Sequence, residues 1–141
     1  MSTRFEATNA EAANEAVVRF NRFHDDYVAG IEIKFENYKP LDEEGASTGI
    51  GDADKTIILM VNTYPYGKDH EQRVSVQFKG VQSFEISSLP EGGPMWGIFT
   101  TLVSTADEHY IEWKFDFICS GSRFSVTCSE IVIIGQPFRQ G

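Results

Sequence analysis

The chain has 141 residues and a formal charge of −9, from 12 basic and 21 acidic side chains. That charge opposes contact with nucleic acid phosphates and with anionic lipid, because each approach would bring like charges together. A cation or a basic protein is the charged partner that it favours. With 41% hydrophobic residues the chain can bury a core of its own, so we expect a single domain over residues 1–141.

The start of the chain and its apolar runs bear on the compartment. Residues 1–6 are polar and lack the apolar stretch of a secretory signal. No segment of the sequence reaches the ~20 apolar residues that a membrane helix needs. We therefore expect a cytoplasmic protein.

A helix is predicted over residues 9–23. Thr8 and Glu11 have the spacing of a capping box, in which a hydroxyl caps the first turn and a carboxylate lies three residues on. Apolar residues then recur at helical spacing and form one stripe, which we expect to pack on a sheet. The stripe consists of Ala13, Ala16, Val17, Phe20 and Phe23.

The first histidine of the chain lies beside two carboxylates where the helical pattern ends, in Phe23-His24-Asp25-Asp26. His24, Asp25 and Asp26 are candidate binding residues, since a histidine beside a carboxylate can act as a general base or hold a metal. Adjacent residues of a strand point to opposite faces, however, and that geometry would separate His24 from Asp25. The alternative is a structural junction, with His24 near the helix C-terminus and the carboxylates bonded to turn amides.

From residue 27 to about residue 135 the pattern is that of strands. Residues 27–36 and 111–117 alternate with a period of two, and residues 56–62 are apolar on both faces. A change of phase predicts a bend or bulge at Gly80-Val81. We expect a mainly β (α+β) fold, with about six mostly antiparallel strands in a curved sheet or sandwich and one N-terminal amphipathic helix.

Residues 39–55 predict a long loop that is rich in acidic residues and glycine. It lacks the full ligand series of a calcium loop and the glycines of a dinucleotide loop, so no metal or cofactor is expected. The motifs HExxH, CxxC and GxSxG are missing from the sequence, and no catalytic residue is assigned.

Aromatic side chains could stack on a ligand. The candidates are Tyr64, Tyr66 and Trp96, with Trp113 as a further ring. The alternative for Trp96 is a core position at the start of a strand.

The two cysteines are expected to be free thiols. A two-residue turn at Gly121-Ser122 would pair Cys119 with Phe124 and place Cys128 roughly 13 Å further along the ladder. A disulfide requires Cα atoms within about 7 Å. Both thiols would then face the core in a reducing compartment.

Three short motifs resemble a group of small bacterial β-rich proteins that open with Phe-His-Asp. The motifs are Phe23-His24-Asp25, residues 78–84 (FKGVQSF) and the aromatic hairpin over residues 115–131. Some members of that group are classed as immunity proteins of polymorphic toxin systems, and others have no assigned role. The resemblance spans residues 23–134 and implies a compact β-rich fold, with toxin neutralisation as a function. Neither the preceding helix nor Asp26 belongs to that pattern.

We therefore expect a non-enzymatic intracellular binding protein, immunity-like, that neutralises a basic toxin. Its acidic side chains would meet the basic surface and speed association. These are Asp42, Glu43, Glu44, Asp52, Asp54 and Glu91. One alternative is a small-molecule or carbohydrate-binding β domain. A second is a metal-dependent enzyme centred on His24.

Overall fold

The computed structural model describes residues 3–40, 51–63, 73–87, 96–117 and 123–136, with the backbone alone at 37–40, 51–53 and 96. These ranges contain one α-helix, α1 (Ala10–Arg19), and nine β-strands. The strands are β1 (Thr3–Ala7), β2 (Tyr27–Pro40), β3 (Gly51–Asn62), β4 (Arg73–Lys79), β5 (Ser83–Ile86), β6 (Trp96–Asp107), β7 (Tyr110–Phe117), β8 (Arg123–Cys128) and β9 (Glu130–Gln136).

The nine strands form one open sheet in the order β1-β9-β4-β3-β2-β6-β7-β8-β5, and neighbours are antiparallel throughout. The prediction of a mainly β, antiparallel fold with one N-terminal helix is confirmed, and the number of about six strands is wrong. The sequence of β1 has no apolar run that would predict a strand. Only Ala7 among its five residues is buried. β5 and β9 follow β4 and β8 after short bends, so the sequence pattern merges them with their neighbours.

The sheet folds over, and its two halves pack face to face as in a sandwich. Phe78 of β4 contacts Trp113 of β7 and Phe124 of β8, with ring centroids 5.2 and 6.0 Å apart, although these strands are not neighbours in the sheet. Phe23 packs on the same tryptophan at 6.0 Å. All four rings are fully buried, and burial of each contributes about 2 kcal/mol. One core therefore joins both halves and the segment after α1.

The helix is shorter than the sequence predicts. Its N-cap is Asn9 rather than Thr8, because the side-chain oxygen of Asn9 accepts a 2.8 Å hydrogen bond from the amide of Ala12. It ends at Arg19, so Phe23 lies beyond it in a separate turn. No helix in the described part of the chain is long and apolar enough to cross a membrane.

A long hairpin replaces much of the loop predicted over residues 39–55. β2 continues to Pro40 and β3 begins at Gly51, with Lys39 opposite Asp52. Ladder hydrogen bonds join backbone groups, so polar side chains do not prevent pairing. Residues 41–50 lie outside the described ranges.

Two bends carry the chain between the halves of the folded sheet. β4 leads towards β5 through Gly80, whose φ is 63°, and β8 leads into β9 through Ser129. The amide and the hydroxyl of Ser129 both donate to the carbonyl of Lys79, at 3.0 and 3.2 Å. A Cβ at position 80 would collide with that hydroxyl. The bend predicted at Gly80-Val81 is confirmed, and it requires glycine.

The hairpin of β7 and β8 has a different register from the one predicted. Phe124 lies opposite Phe115, and Cys128 lies opposite Ile111, so the connection is longer than two residues. Cys128 is a buried free thiol, as predicted, and burial raises its pKa to about 12. Cys119 lies outside the described residues.

Candidate functional site

The segment that begins at Asn21 follows α1 as a tight left-handed turn. Asn21, Arg22 and Phe23 each have a φ of 54°, and Asp25 has a φ of 65°. This conformation costs roughly 1–2 kcal/mol for each L-residue, with asparagine and aspartate affected least. Surrounding contacts must offset that cost, and strained backbone of this kind is concentrated at functional sites.

Backbone hydrogen bonds join the turn to β6, next to the residues of β6 that pair with the start of β2. Among the described residues, β2 pairs with β6 through its first two residues. The amide of Asp25 then donates to the carbonyl of Ile98 at 2.9 Å, and the amide of Ile98 donates to the carbonyl of Asp26 at 2.7 Å. The turn thus extends the ladder by one residue before the chain enters β2.

Three polar side chains continue this pattern along the same edge of β6. Each bonds a backbone carbonyl, so they cover an edge that would otherwise be open to another strand. Nδ1 of His24 lies 2.6 Å from the oxygen of Phe99, Nη1 of Arg22 donates to Thr101 at 3.3 Å, and Nδ2 of Asn14 donates to Val103 at 2.9 Å. Arg22 also donates to the side-chain oxygen of Asn14 at 3.2 Å, which joins the turn to α1.

His24 lies next to Asp25, so the expectation that strand geometry would separate them is wrong. Nε2 of His24 is 3.4 Å from Oδ2 of Asp25, because the left-handed φ of Asp25 takes both residues out of the strand. The Phe99 carbonyl can only accept, so Nδ1 of His24 is the ring nitrogen that donates to it. The two side chains are 44% and 55% exposed, which keeps their attraction weak.

In the described part of the chain, no group of three histidine, cysteine or acidic side chains is placed to hold a metal ion. The hypothesis of a metal-dependent enzyme centred on His24 consequently gains nothing from this geometry.

The other candidate residues do not join His24 and Asp25 at the surface. Asp26 is 6% exposed, and its backbone carbonyl bonds β6. Trp96 is the first residue of β6 and lies opposite Val28, but its side chain is outside the described part of the structure. Tyr64 and Tyr66 also lie outside it.

Two further observations concern ligand stacking. Trp113 is fully buried, so this ring cannot stack on a sugar. A groove of about 490 Å³ lies on the outer face of β2, β3 and β4, and none of its described lining residues is aromatic. Its two lysines, Lys34 and Lys79, each have a carboxylate at 3.8 Å. The groove offers balanced charge and no ring for stacking, which does not favour carbohydrate binding.

Exposed apolar side chains flank the covered edge of β6. Phe99 and Leu102 are 54% and 51% exposed, and Val18 of α1 is 56% exposed. The ring of His24 packs against Phe99 with centroids 5.8 Å apart. Val18 lies one helical turn after Asn14, whose side chain bonds the carbonyl of Val103, the residue after Leu102. We call Val18, His24, Phe99 and Leu102 the helix–β6 patch.

Sequence reasoning did not identify Phe99 and Leu102 as surface residues. A register shift between Ile98 and Thr101 breaks the period of two in β6, so apolar residues there do not all share one face. The buried positions of Thr101 and Val103 turn the intervening Leu102 outwards. The polar pair Thr100-Thr101 departs from the pattern of a simple apolar strand, and Thr101 takes a core position.

No family model, curated protein or solved structure matches this chain. The resemblance to the Phe-His-Asp proteins therefore stays a prediction. The geometry of the helix–β6 patch and the charge of the chain are the features that bear on function.

Proposed function

We propose that this protein acts by binding another protein rather than by catalysis, and that the helix–β6 patch contributes the contact. The exposure of Phe99, Leu102 and Val18 beside an ordered turn is the observation that carries this proposal. Neighbouring exposed apolar side chains are typical of interaction surfaces.

The geometry around the patch suits an interface that is formed before the partner arrives. His24 bonds β6 and packs on Phe99, while Arg22 and Asn14 hold the helix to the same strand. A surface that is already ordered loses less conformational entropy on binding. The strain of the left-handed turn fits such a role, because strain at a surface is retained where a fixed shape is useful.

The partner is a basic protein. The chain carries a charge of −9, and two exposed acids lie at the rim of the patch. Asp25 is beside His24, and Glu15 precedes Val18 by three residues on α1. Arg19 follows Val18 and Arg22 precedes His24 by two residues, so the preference for a cationic surface comes mainly from the net charge of the chain, which speeds association with such a surface. An immunity protein would meet a basic toxin in this way.

The acidic side chains first expected to meet the toxin cannot be placed in this surface. Asp42, Glu43, Glu44 and Glu91 lie outside the described residues, as does the side chain of Asp52, and Asp54 is exposed on β3. The preference for a basic partner therefore comes from the net charge of the chain, with Asp25 and Glu15 as the acids near the patch.

The proposal can be tested on purified basic proteins whose genes adjoin the gene of this chain. Phe99→Ser and Leu102→Ser should each weaken binding about tenfold or more, since each removes apolar contact from the centre of the interface. Isothermal titration calorimetry measures the affinities. Asp25→Lys should mainly slow association, which stopped-flow kinetics at low and high salt would show.

Phe35→Ser is the matched control. Phe35 is 66% exposed on β2, about 23 Å along that strand from the point where it leaves β6, and its loss should leave the affinity unchanged. Binding to none of these basic proteins would contradict the proposal. So would equal losses of affinity in the Phe35 and Phe99 variants.

A further inference from the structure

The groove on the outer face of β2, β3 and β4 is separate from the helix–β6 patch. Its volume of about 490 Å³ lies within the range of sites that hold small ligands. Thr56, Ile58 and Gln77 line it as half-buried residues. The other side chains of its described lining are charged, so a ligand there would meet both signs of charge.

The strand register sorts these charged side chains into two rows. Thr56 of β3 lies opposite Lys34 of β2 and opposite Lys79 of β4, so two lysines flank one threonine. In the next row of the same face, Glu36 lies opposite Asp54. Neighbours on one face are two residues apart along a strand, which separates the rows by about 7 Å. The groove therefore has a cationic row beside an anionic row.

The polar groups of the groove have bonding capacity left for a ligand. In the described part of the chain, the side chains of Glu36, Thr56 and Gln77 have no hydrogen-bond or ion-pair partner. Lys34 and Lys79 each lie 3.8 Å from a carboxylate that does not line the groove. That distance exceeds hydrogen-bond length, and an ammonium group has three donors. Both lysines can therefore also bind an anion.

The anionic row favours a cation of its own. Like charges directly opposite on neighbouring strands are destabilising, as Glu36 and Asp54 are here. Lys34 shares their face but is 3.8 Å from Glu32 instead. A metal ion needs several ligands, and no group of three histidine, cysteine or acidic side chains among the described residues is placed to hold one. An organic ammonium group fits two carboxylates better.

We infer that the groove binds a dipeptide with free ends. Its carboxylate lies at the lysine row, where the Thr56 hydroxyl donates to it, and its ammonium group lies between Glu36 and Asp54. An extended dipeptide is about 7 Å long, which matches the separation of the rows, whereas a single amino acid spans about half of that distance. Ile58 lies two residues beyond Thr56 and offers apolar contact to the side chain at the carboxylate end.

Titration with Gly-Leu, followed by chemical shifts in heteronuclear NMR spectra, tests this site. The charges of the groove are exposed, so we expect weak binding. Removing either charge of the ligand, in N-acetyl-Gly-Leu or in Gly-Leu amide, should raise the dissociation constant about fivefold. Leucine alone should also bind about fivefold more weakly, because it cannot span both rows.

Two variants assign each end of the ligand to its row. Glu36→Gln should weaken Gly-Leu about fivefold and leave N-acetyl-Gly-Leu unchanged, because that peptide has no ammonium group to lose. Lys79→Gln should weaken both of these peptides and leave Gly-Leu amide unchanged. Glu85→Gln and Lys114→Gln are the matched controls, since they make the same charge changes on β5 and β7, outside the groove. Their affinities should equal that of the parent protein.

Circular dichroism checks that each variant is folded, as expected for changes of surface side chains. Resonances of Thr56 and Gln77 that do not move at tens of millimolar Gly-Leu would overturn the inference. So would equal affinities for the free and the blocked peptides, or inorganic phosphate binding as tightly as Gly-Leu, which would make the groove an anion site alone. This inference goes beyond the proposed function and uses none of the patch residues, so either can fail without the other.

Discussion

At the scale of single residues, the turn after α1 shows how side-chain bonds hold an unfavourable backbone. Four of the five residues 21–25 have positive φ, and none of them is glycine. Arg22 and His24 bond carbonyls of β6, and Phe23 is fully buried against Trp113. Burial of the Phe23 ring is worth about 2 kcal/mol, which offsets the conformational cost of one such residue.

Asn21 offers a direct test of this conformation, because its side chain is exposed and its φ is 54°. Asn21→Ala should lower the free energy of unfolding by about 1 kcal/mol, since alanine tolerates the left-handed region less well than asparagine. Asn21→Gly should stay close to the parent protein, because glycine adopts this φ without strain. Urea denaturation followed by circular dichroism gives the three values. Equal stability of the alanine and glycine variants would show that position 21 is not left-handed in solution.

At the scale of elements, contacts near the ends of α1 and along one flank position the helix. Its buried apolar face is short. Ala13, Ala16 and Val17 are its buried residues, and all are small. Asn14 connects the helix to β6, and Arg19 lies 5.2 Å over the ring of Phe5 in β1. A helix of ten residues is marginal on its own, so α1 depends on these tertiary contacts, and its cap adds about 1 kcal/mol.

Two alanine substitutions compare the observed N-cap with the one that the sequence suggests. Asn9→Ala should cost about 1 kcal/mol, because it removes the acceptor for the amide of Ala12. Thr8→Ala should cost much less, since Thr8 is exposed and precedes the cap. Thermal and urea unfolding of both variants would measure the difference. A larger loss at position 8 than at position 9 would mean that the capping box forms after all.

At the scale of the whole molecule, the fold depends on the bends that let one sheet close over itself. Phe78 can reach Trp113 and Phe124 only because the chain turns at Gly80 and again at Ser129. These bends are joined by the two bonds from Ser129 to Lys79. A substitution at either bend should therefore disturb the packing of the core and lower the stability of the protein.

Gly80→Ala is expected to destabilise the protein by about 2 kcal/mol or more, from the positive φ and from the collision with Ser129. Adding Ser129→Ala should recover part of the loss, because it removes the hydroxyl that the new Cβ meets. Gly30→Ala is the control, because no atom of the described residues lies within 4 Å of a Cβ there. Urea denaturation of the four proteins measures the effects. Similar losses at positions 80 and 30 would show that the bend at Gly80 is not required.

The sequence by itself determined the class of this fold, its helix and several of its features. Periods of two and of 3.6 residues follow from backbone geometry, so strands, an N-terminal helix and the bend at Gly80 could be predicted from local pattern. The presence of β1 and the length of the β2–β3 hairpin could not, because edge and surface strands are defined by their partners and carry little apolar pattern of their own.

Only the tertiary structure decided what Phe23-His24-Asp25-Asp26 is. Local pattern treated the segment as a strand entrance that would separate His24 from Asp25, whereas bonds to β6 hold it as a left-handed turn that brings them together. The exposure of Phe99 and Leu102 was decided in the same way, by a register shift against β7. Contacts between residues distant in sequence set both outcomes, and no short stretch of sequence encodes them.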